Sequence, residues 1–92
     1  MVPIHPGRIL KRELMARGLS ANRLALALRV PSGRITSILG GKRSITAETA
    51  LRLAHFLGTS AAFWMNLQTR YDLAVAEGQI GKRIAAEVQR AA

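Results

Sequence analysis

The stretch Ser20 to Arg43, SANRLALALRVPSGRITSILGGKR, decides the fold of this chain. Leu24, Ala25 and Leu28 recur at the spacing of one helix face, and Ile35, Ile38 and Leu39 do so again after a break. Ser20 is placed to cap the first helix by accepting a backbone N–H. The break is Arg29–Val30–Pro31: proline has no N–H to continue a helix and disfavours helical backbone in the residue before it. Ser32 is the expected cap of the second helix, and Gly40 and Gly41 end it. Two helices separated by about three residues, with small side chains where they meet, fit a helix-turn-helix. Ala25 is the expected crossing point, with Val30 and Ile35 packing the turn and the second helix onto the core. Such a turn normally takes a residue tolerant of positive φ, and Arg29 stands where glycine is usual.

The same punctuation extends outward. HPGRILKRELMARG begins with Pro6, suited to a first helical turn, carries Ile9, Leu10 and Leu14 on one face, and stops at Gly18. Thr46 caps AETALRLAHFLG, with Ala50, Leu53, Ala54 and Leu57 inward and Gly58 as its stop. Ser60 caps AAFWMNLQTRYDLAVAEG, the longest and most apolar segment, ending at Gly78. No segment alternates apolar and polar residues as a half-buried strand does. The expected fold is all-α: five helices in one helix-turn-helix domain over residues 1–78, and a tail over residues 79–92. In that tail Ile80, Ile84 and Val88 recur every four residues while Gly81 weakens the helix. A short sixth helix and a loosely attached basic arm are both open readings.

Fourteen Lys and Arg against five Asp and Glu leave a net charge of +9. Most of the cations are Arg, whose planar fork suits phosphate and guanine edges, so a polyanionic partner is favoured and nucleic acid leads. A basic protein neutralised by an acidic partner is the bland alternative. With no cysteine, disulfides, thiolate catalysis and most structural zinc sites drop out. No signal-peptide pattern opens the chain, and no run reaches the roughly 18 apolar residues of a membrane span. The expectation is a cytoplasmic protein.

If the helix after Pro31 enters a major groove by its N-terminal half, Ser32, Gly33, Arg34, Thr36 and Ser37 become the candidate readers. Arg34 suits guanine O6 and N7, Thr36 and Ser37 reach bases or phosphate, and Gly33 lets backbone approach closely. Lys42 and Arg43 in the following loop, with Asn22 and Arg23 at the start of the preceding helix, are placed for phosphate. A short polar face is often merely solvated; the charge tips the reading toward double-stranded DNA. GGKR is no P-loop, since Thr36 and Arg43 stand where that motif needs Gly and Ser or Thr. His5 and His55 lie far apart without Cys partners, and scattered carboxylates offer no acid–base pair, so neither metal, cofactor, small-molecule substrate nor enzymatic activity is expected.

The fifth helix raises a second question. Phe63, Leu67 and Ala74 form one stripe, and Trp64, Tyr71 and Val75 a neighbouring one, together wider than the roughly 100° face a surface helix buries. Either the first helix or the tail covers the excess, or a second copy does. Phe63, Trp64, Leu67 and Tyr71 are the candidate dimer residues, since aromatics are enriched in such contacts and two-fold DNA sites are read by two-fold proteins.

Taken together, IHPGRILKREL, GLS and RITSILGGKRSITAETALRLAHFLGTSAAFWMNLQTRYDL resemble the HigA (VapI/HigA-type) antitoxin family, within the phage-repressor and Cro-like helix-turn-helix class. The resemblance covers about Pro3 to Glu77. It implies a small dimer, encoded beside a RelE/HigB-like ribonuclease toxin, that neutralises the toxin and represses their shared operon by binding operator DNA. It places DNA reading on Ser32, Gly33, Arg34, Thr36 and Ser37 with Lys42 and Arg43, and dimer or core contacts on Trp64, Leu67 and Tyr71. Arg8 departs from a common Glu, and Ala21 from a Gln frequent in repressors. RelE-like toxins are usually basic, a poor electrostatic match for a +9 chain. Toxin contact then falls to apolar surface or to Glu13, Glu48, Asp72 and Glu77; the alternative is a stand-alone regulator without a toxin.

Overall fold

The computed structural model describes residues 2–91, all helix, turn or irregular backbone. The elements are α1 (Pro6–Arg17), α2 (Ala21–Leu28), α3 (Ser32–Leu39), α4 (Ala47–Leu57) and α5 (Ala61–Glu87). Four of them start on side-chain caps that satisfy otherwise orphaned N–H groups. His5 Nδ1 accepts from the Gly7 N–H at 2.9 Å, Ser20 Oγ from Arg23 at 3.1 Å, Thr46 Oγ1 from Thr49 at 3.3 Å and Ser60 Oγ from Phe63 at 3.0 Å. The exception is α3, where Pro31 occupies the N-cap without a side-chain bond and the expected cap, Ser32, is the first helical residue. Pro31 supplies the extended cap conformation itself, which shifts Ser32 into the helix.

α1 and α2 end in Schellman motifs, with Gly18 and Arg29 in the left-handed region. At α2 the Val30 N–H reaches the Ala25 carbonyl at 3.0 Å and the Arg29 N–H the Leu26 carbonyl at 3.2 Å. Arg29, at φ 58°, is the one non-glycine residue with positive φ among the described residues. α3 ends likewise on Gly41, whose N–H reaches Ile38 while Lys42 N–H reaches Ser37.

One core joins the five helices: Leu10 and Leu14, Leu24, Ala25 and Leu28, Ile35 and Ile38, Ile45, Ala50, Leu53 and Leu57, and Trp64. The close approach of α1 to α3 depends on Gly7. It is buried, and a Cβ there would run into the backbone carbonyl of Ile38.

α5 departs from expectation. Gly78 does not stop it; the helix runs 27 residues through Gly78 and Gly81 and ends where Val88 turns extended. Residues 79–87 are therefore neither a sixth helix nor an arm, and the expected boundary after 78 falls inside a helix. Isolated glycines cost about 1 kcal/mol each in a helix, but neither adopts a left-handed cap and no proline follows, so cooperative propagation carries the chain through. Its last fully buried residues are Trp64 and Gln68, so the C-terminal half leaves the core. At about 1.5 Å per residue this projection accounts for an overall shape of 51 × 22 × 22 Å.

Candidate nucleic-acid interface

α3 turns Ile35 and Ile38 into the core and leaves Ser32, Gly33 and Thr36 exposed, with Ser37 half-buried. The outward side is small and smooth: nothing stands near the position of a Cβ on Gly33, and the Thr36 hydroxyl is folded back onto the Gly33 carbonyl at 3.2 Å. The Schellman bond from Lys42 N–H to the Ser37 carbonyl, 2.9 Å, fixes the first loop cation one turn beyond this face. Lys42 and Arg43 are exposed, as are Asn22 and Arg23 at the start of α2.

Arg34 sits differently. It lies on the flank of α3 beside the core residues, its side chain only 22% exposed, with Nη1 3.7 Å from Glu48 Oε2 at the start of α4. Its Nε is the one buried side-chain polar atom without a partner among the described residues. Glu48 is held more closely by Arg52 at 3.0 Å, and Arg52 also donates to the Leu28 carbonyl at 2.9 Å, capping the end of α2 from α4. The strongest reader expected from sequence is thus folded against the protein, not extended toward solvent.

The loop between α3 and α4 hangs on a residue that sequence reading passed over. Gln68, 3% exposed in α5, accepts from the Ile45 N–H at 2.8 Å and donates to Ser44 at 3.3 Å and Asp72 at 2.9 Å. Ile45 is itself buried, so Lys42 and Arg43 project from a loop anchored just downstream. The available signal was a glutamine four residues from Trp64 on the inward stripe of α5; a buried polar side chain must have partners. His5 borders the same loop from the other side, edge-on to Tyr71 with ring centroids 4.8 Å apart. Burial pushes its imidazole below the ordinary 6.5, while the Arg43 backbone and the Asp72 charge pull it up. His5 was legible as a cap: a polar residue directly before a proline at the first helical position.

The expected dimer residues separate. Trp64 is buried at 1% exposure, its indole N–H donating to Thr59 Oγ1 at 2.8 Å, and so belongs to the monomer core and offers nothing to a second chain. Its spacing on α5 could not distinguish these roles, because core and interface aromatics share one pattern. Phe63 is 42% exposed and meets Trp64 edge-on, while Leu67 and Tyr71 are half-buried. Further along, Leu73 in α5 at 65% and Val88 just past its end at 66% stand exposed, with Ile84 between them.

With this geometry in place, the likeness to known proteins is specific. The helix-turn-helix family model matches residues 10–64. Virulence-associated protein I of Dichelobacter nodosus is 53% identical over 78 residues, 84% of this chain and 72% of that protein. An addiction module antidote protein of a HigA family from Coxiella burnetii superposes with a TM-score of 0.95 at 53% identity, over 99% of this chain and 100% of that one. The chain belongs to the HigA family. The antitoxin HigA of Pseudomonas aeruginosa, solved with the higBA promoter, has a TM-score of 0.96 at 43% identity, over 99% and 100% of the two chains. These matches span the whole of α5, so the projecting C-terminal half of this HigA-family chain has a counterpart in both structures. No helix among the described residues is long and apolar enough to cross a membrane.

Proposed function

We propose that this HigA-family chain is a DNA-binding antitoxin: it binds operator DNA as a homodimer, represses its own operon and neutralises a RelE/HigB-like toxin. The observation that carries the DNA reading is the strip of exposed Ser32, Gly33 and Thr36 with half-buried Ser37, continuous through the Ser37–Lys42 backbone bond with two loop cations. It lies in a chain that matches, over 99% of its length, a HigA solved with a promoter. Arg23 and Asn22 add backbone contacts from α2. Phosphate contacts by Lys42, Arg43 and Arg23 position the protein, and groups on α3 reach base edges. The exposed Phe63, Leu73 and Ile84 on α5, with Val88 just past its end, support self-association. A dimer reads half-sites about 34 Å apart.

Gel-shift titration against the DNA upstream of its own gene tests this at physiological salt. The expected result is a clear preference over random duplex; equal affinity for both defeats the reading. Co-expression with the neighbouring reading frame tests the toxin role, with co-purification and relief of growth arrest expected. The net charge of +9 favours a second reading, a regulator without a toxin, and absence of a RelE-like neighbour selects it.

A further inference from the structure

We infer that Arg34 is a two-position residue and that Glu48 is its resting partner, which makes Glu48 a positioning residue for DNA discrimination. This rests on the DNA-binding reading above and deepens it. A well-made charge-assisted hydrogen bond between guanidinium and carboxylate closes to about 2.7–2.9 Å; the Arg34–Glu48 approach is 3.7 Å, with Nε buried and unpartnered. The resting pose is therefore only half satisfied. Leaving it costs little on the other side too, because Glu48 keeps its 3.0 Å contact with Arg52, and Arg52 keeps the Leu28 carbonyl. Arg34 lies one residue from Gly33 and two from Thr36 on α3, so release of its side chain brings the guanidinium to the edge of the reading strip, where a guanine O6/N7 pair satisfies it bidentately.

The consequence is a threshold. A duplex that offers Arg34 no bidentate acceptor leaves it against Glu48 and gains nothing from it, whereas the right base pair draws it out. Glu48 thus sets a cost that only a duplex drawing Arg34 out must overcome, and a duplex that leaves the pair in place neither pays nor gains. Glu48 does so from α4, outside the set of residues that face the groove.

Glu48→Gln tests this in binding titrations against promoter DNA and random duplex, in the wild-type and Arg34→Ala backgrounds. Release of Arg34 is expected to tighten promoter DNA more than random duplex, raising the preference by up to about fivefold, the fold-change of a strong exposed ion pair. In the Arg34→Ala background the change in preference is expected to vanish. Equal tightening on both DNAs that persists without Arg34 means simple loss of a negative charge, and overturns the proposal. Spectroscopy separates this from a purely structural pair: the Arg34 Nε–H resonance is expected to move on adding promoter DNA and to stay with random duplex, and an unmoved signal on both overturns it. Failure of the underlying DNA reading looks different, since wild-type protein then shows no preference to lose.

Discussion

α3 is bracketed by two turns that are built in opposite ways. The first, Arg29 to Pro31, closes on its own neighbours: two backbone bonds to Ala25 and Leu26, then a proline. From elsewhere it receives the Arg52 hydrogen bond to the Leu28 carbonyl and the packing of half-buried Val30 against the core. The second, from Gly40 to Thr46, starts with the same local motif but is then held by Gln68 from more than twenty residues away, by the burial of Ile45, and by His5 at the N-cap of α1. The first turn sets the angle between α2 and α3; the second sets where Lys42 and Arg43 stand relative to α3. Local chemistry is enough for an angle, whereas placing a loop against a helix requires tertiary anchors.

The largest disturbance of this contrast is expected from Gly7→Ala. The added methyl meets the Ile38 carbonyl, a backbone atom that cannot step aside, so α1 and with it His5 must move off the end of α3. We expect a loss of about 3 kcal/mol and a drop in Tm of roughly 12 °C or more, seen by thermal unfolding. An unchanged Tm shows that the crossing is looser than described.

Gln68→Ala attacks the second turn directly. It strands the buried Ile45 N–H and is expected to cost about 2 kcal/mol. Amide exchange of Ile45 is expected to accelerate while Val30, in the first turn, stays protected, and affinity for all DNA sequences falls together. Parallel acceleration at both amides refutes the independence of the two turns.

A smaller change of opposite sign is expected in the first turn. Arg29→Gly removes the strain of a side chain at φ 58° and is predicted to stabilise by about 0.5–1 kcal/mol after the added freedom of the unfolded chain is counted. Denaturant titration reads it, and a destabilised variant reveals a role for the Arg29 side chain beyond the cap.

The smallest effect belongs to His5. Its cap requires an unprotonated Nδ1, and burial holds the folded-state pKa below 6.5. The neutral ring is the one the fold prefers, so this contribution is complete above about pH 6.5 and is lost as pH falls from there toward the folded-state value. Tm is expected to decline over that interval in the wild type and to decline less in His5→Asn, which keeps a capping side chain. Identical pH dependence in both removes His5 from the account.

Much of this architecture was legible in the chain. Ser20, Thr46 and Ser60 announce helix starts, Gly18 and Gly58 helix ends, and the apolar spacing from Leu24 to Ile38 gives the helix-turn-helix. These are short-range effects: a cap or a left-handed stop is decided by atoms a few bonds away. Ser32 misled because Pro31 took the capping position, itself a local competition. Gly78 misled because a glycine ends a helix only when the backbone there turns left-handed.

The candidate interface was legible as a set of residue types but not as an arrangement. Exposure of Ser32, Gly33 and Thr36 follows from their phase relative to Ile35 and Ile38. The parking of Arg34 on Glu48, the anchoring of Ile45 by Gln68 and the burial of Trp64 all depend on partners in other helices.

By itself, then, the sequence determined five helices, the turn after Leu28 and a basic surface, because periodicity, capping and charge act within a few residues or add without regard to position. Tertiary structure alone decided which cation is free to meet DNA and which is held, which aromatic side chain is core, and where the loop of Lys42 and Arg43 is fixed. Those outcomes turn on distances between residues remote in the chain, and a single hydrogen bond or ion pair forms or fails within an ångström.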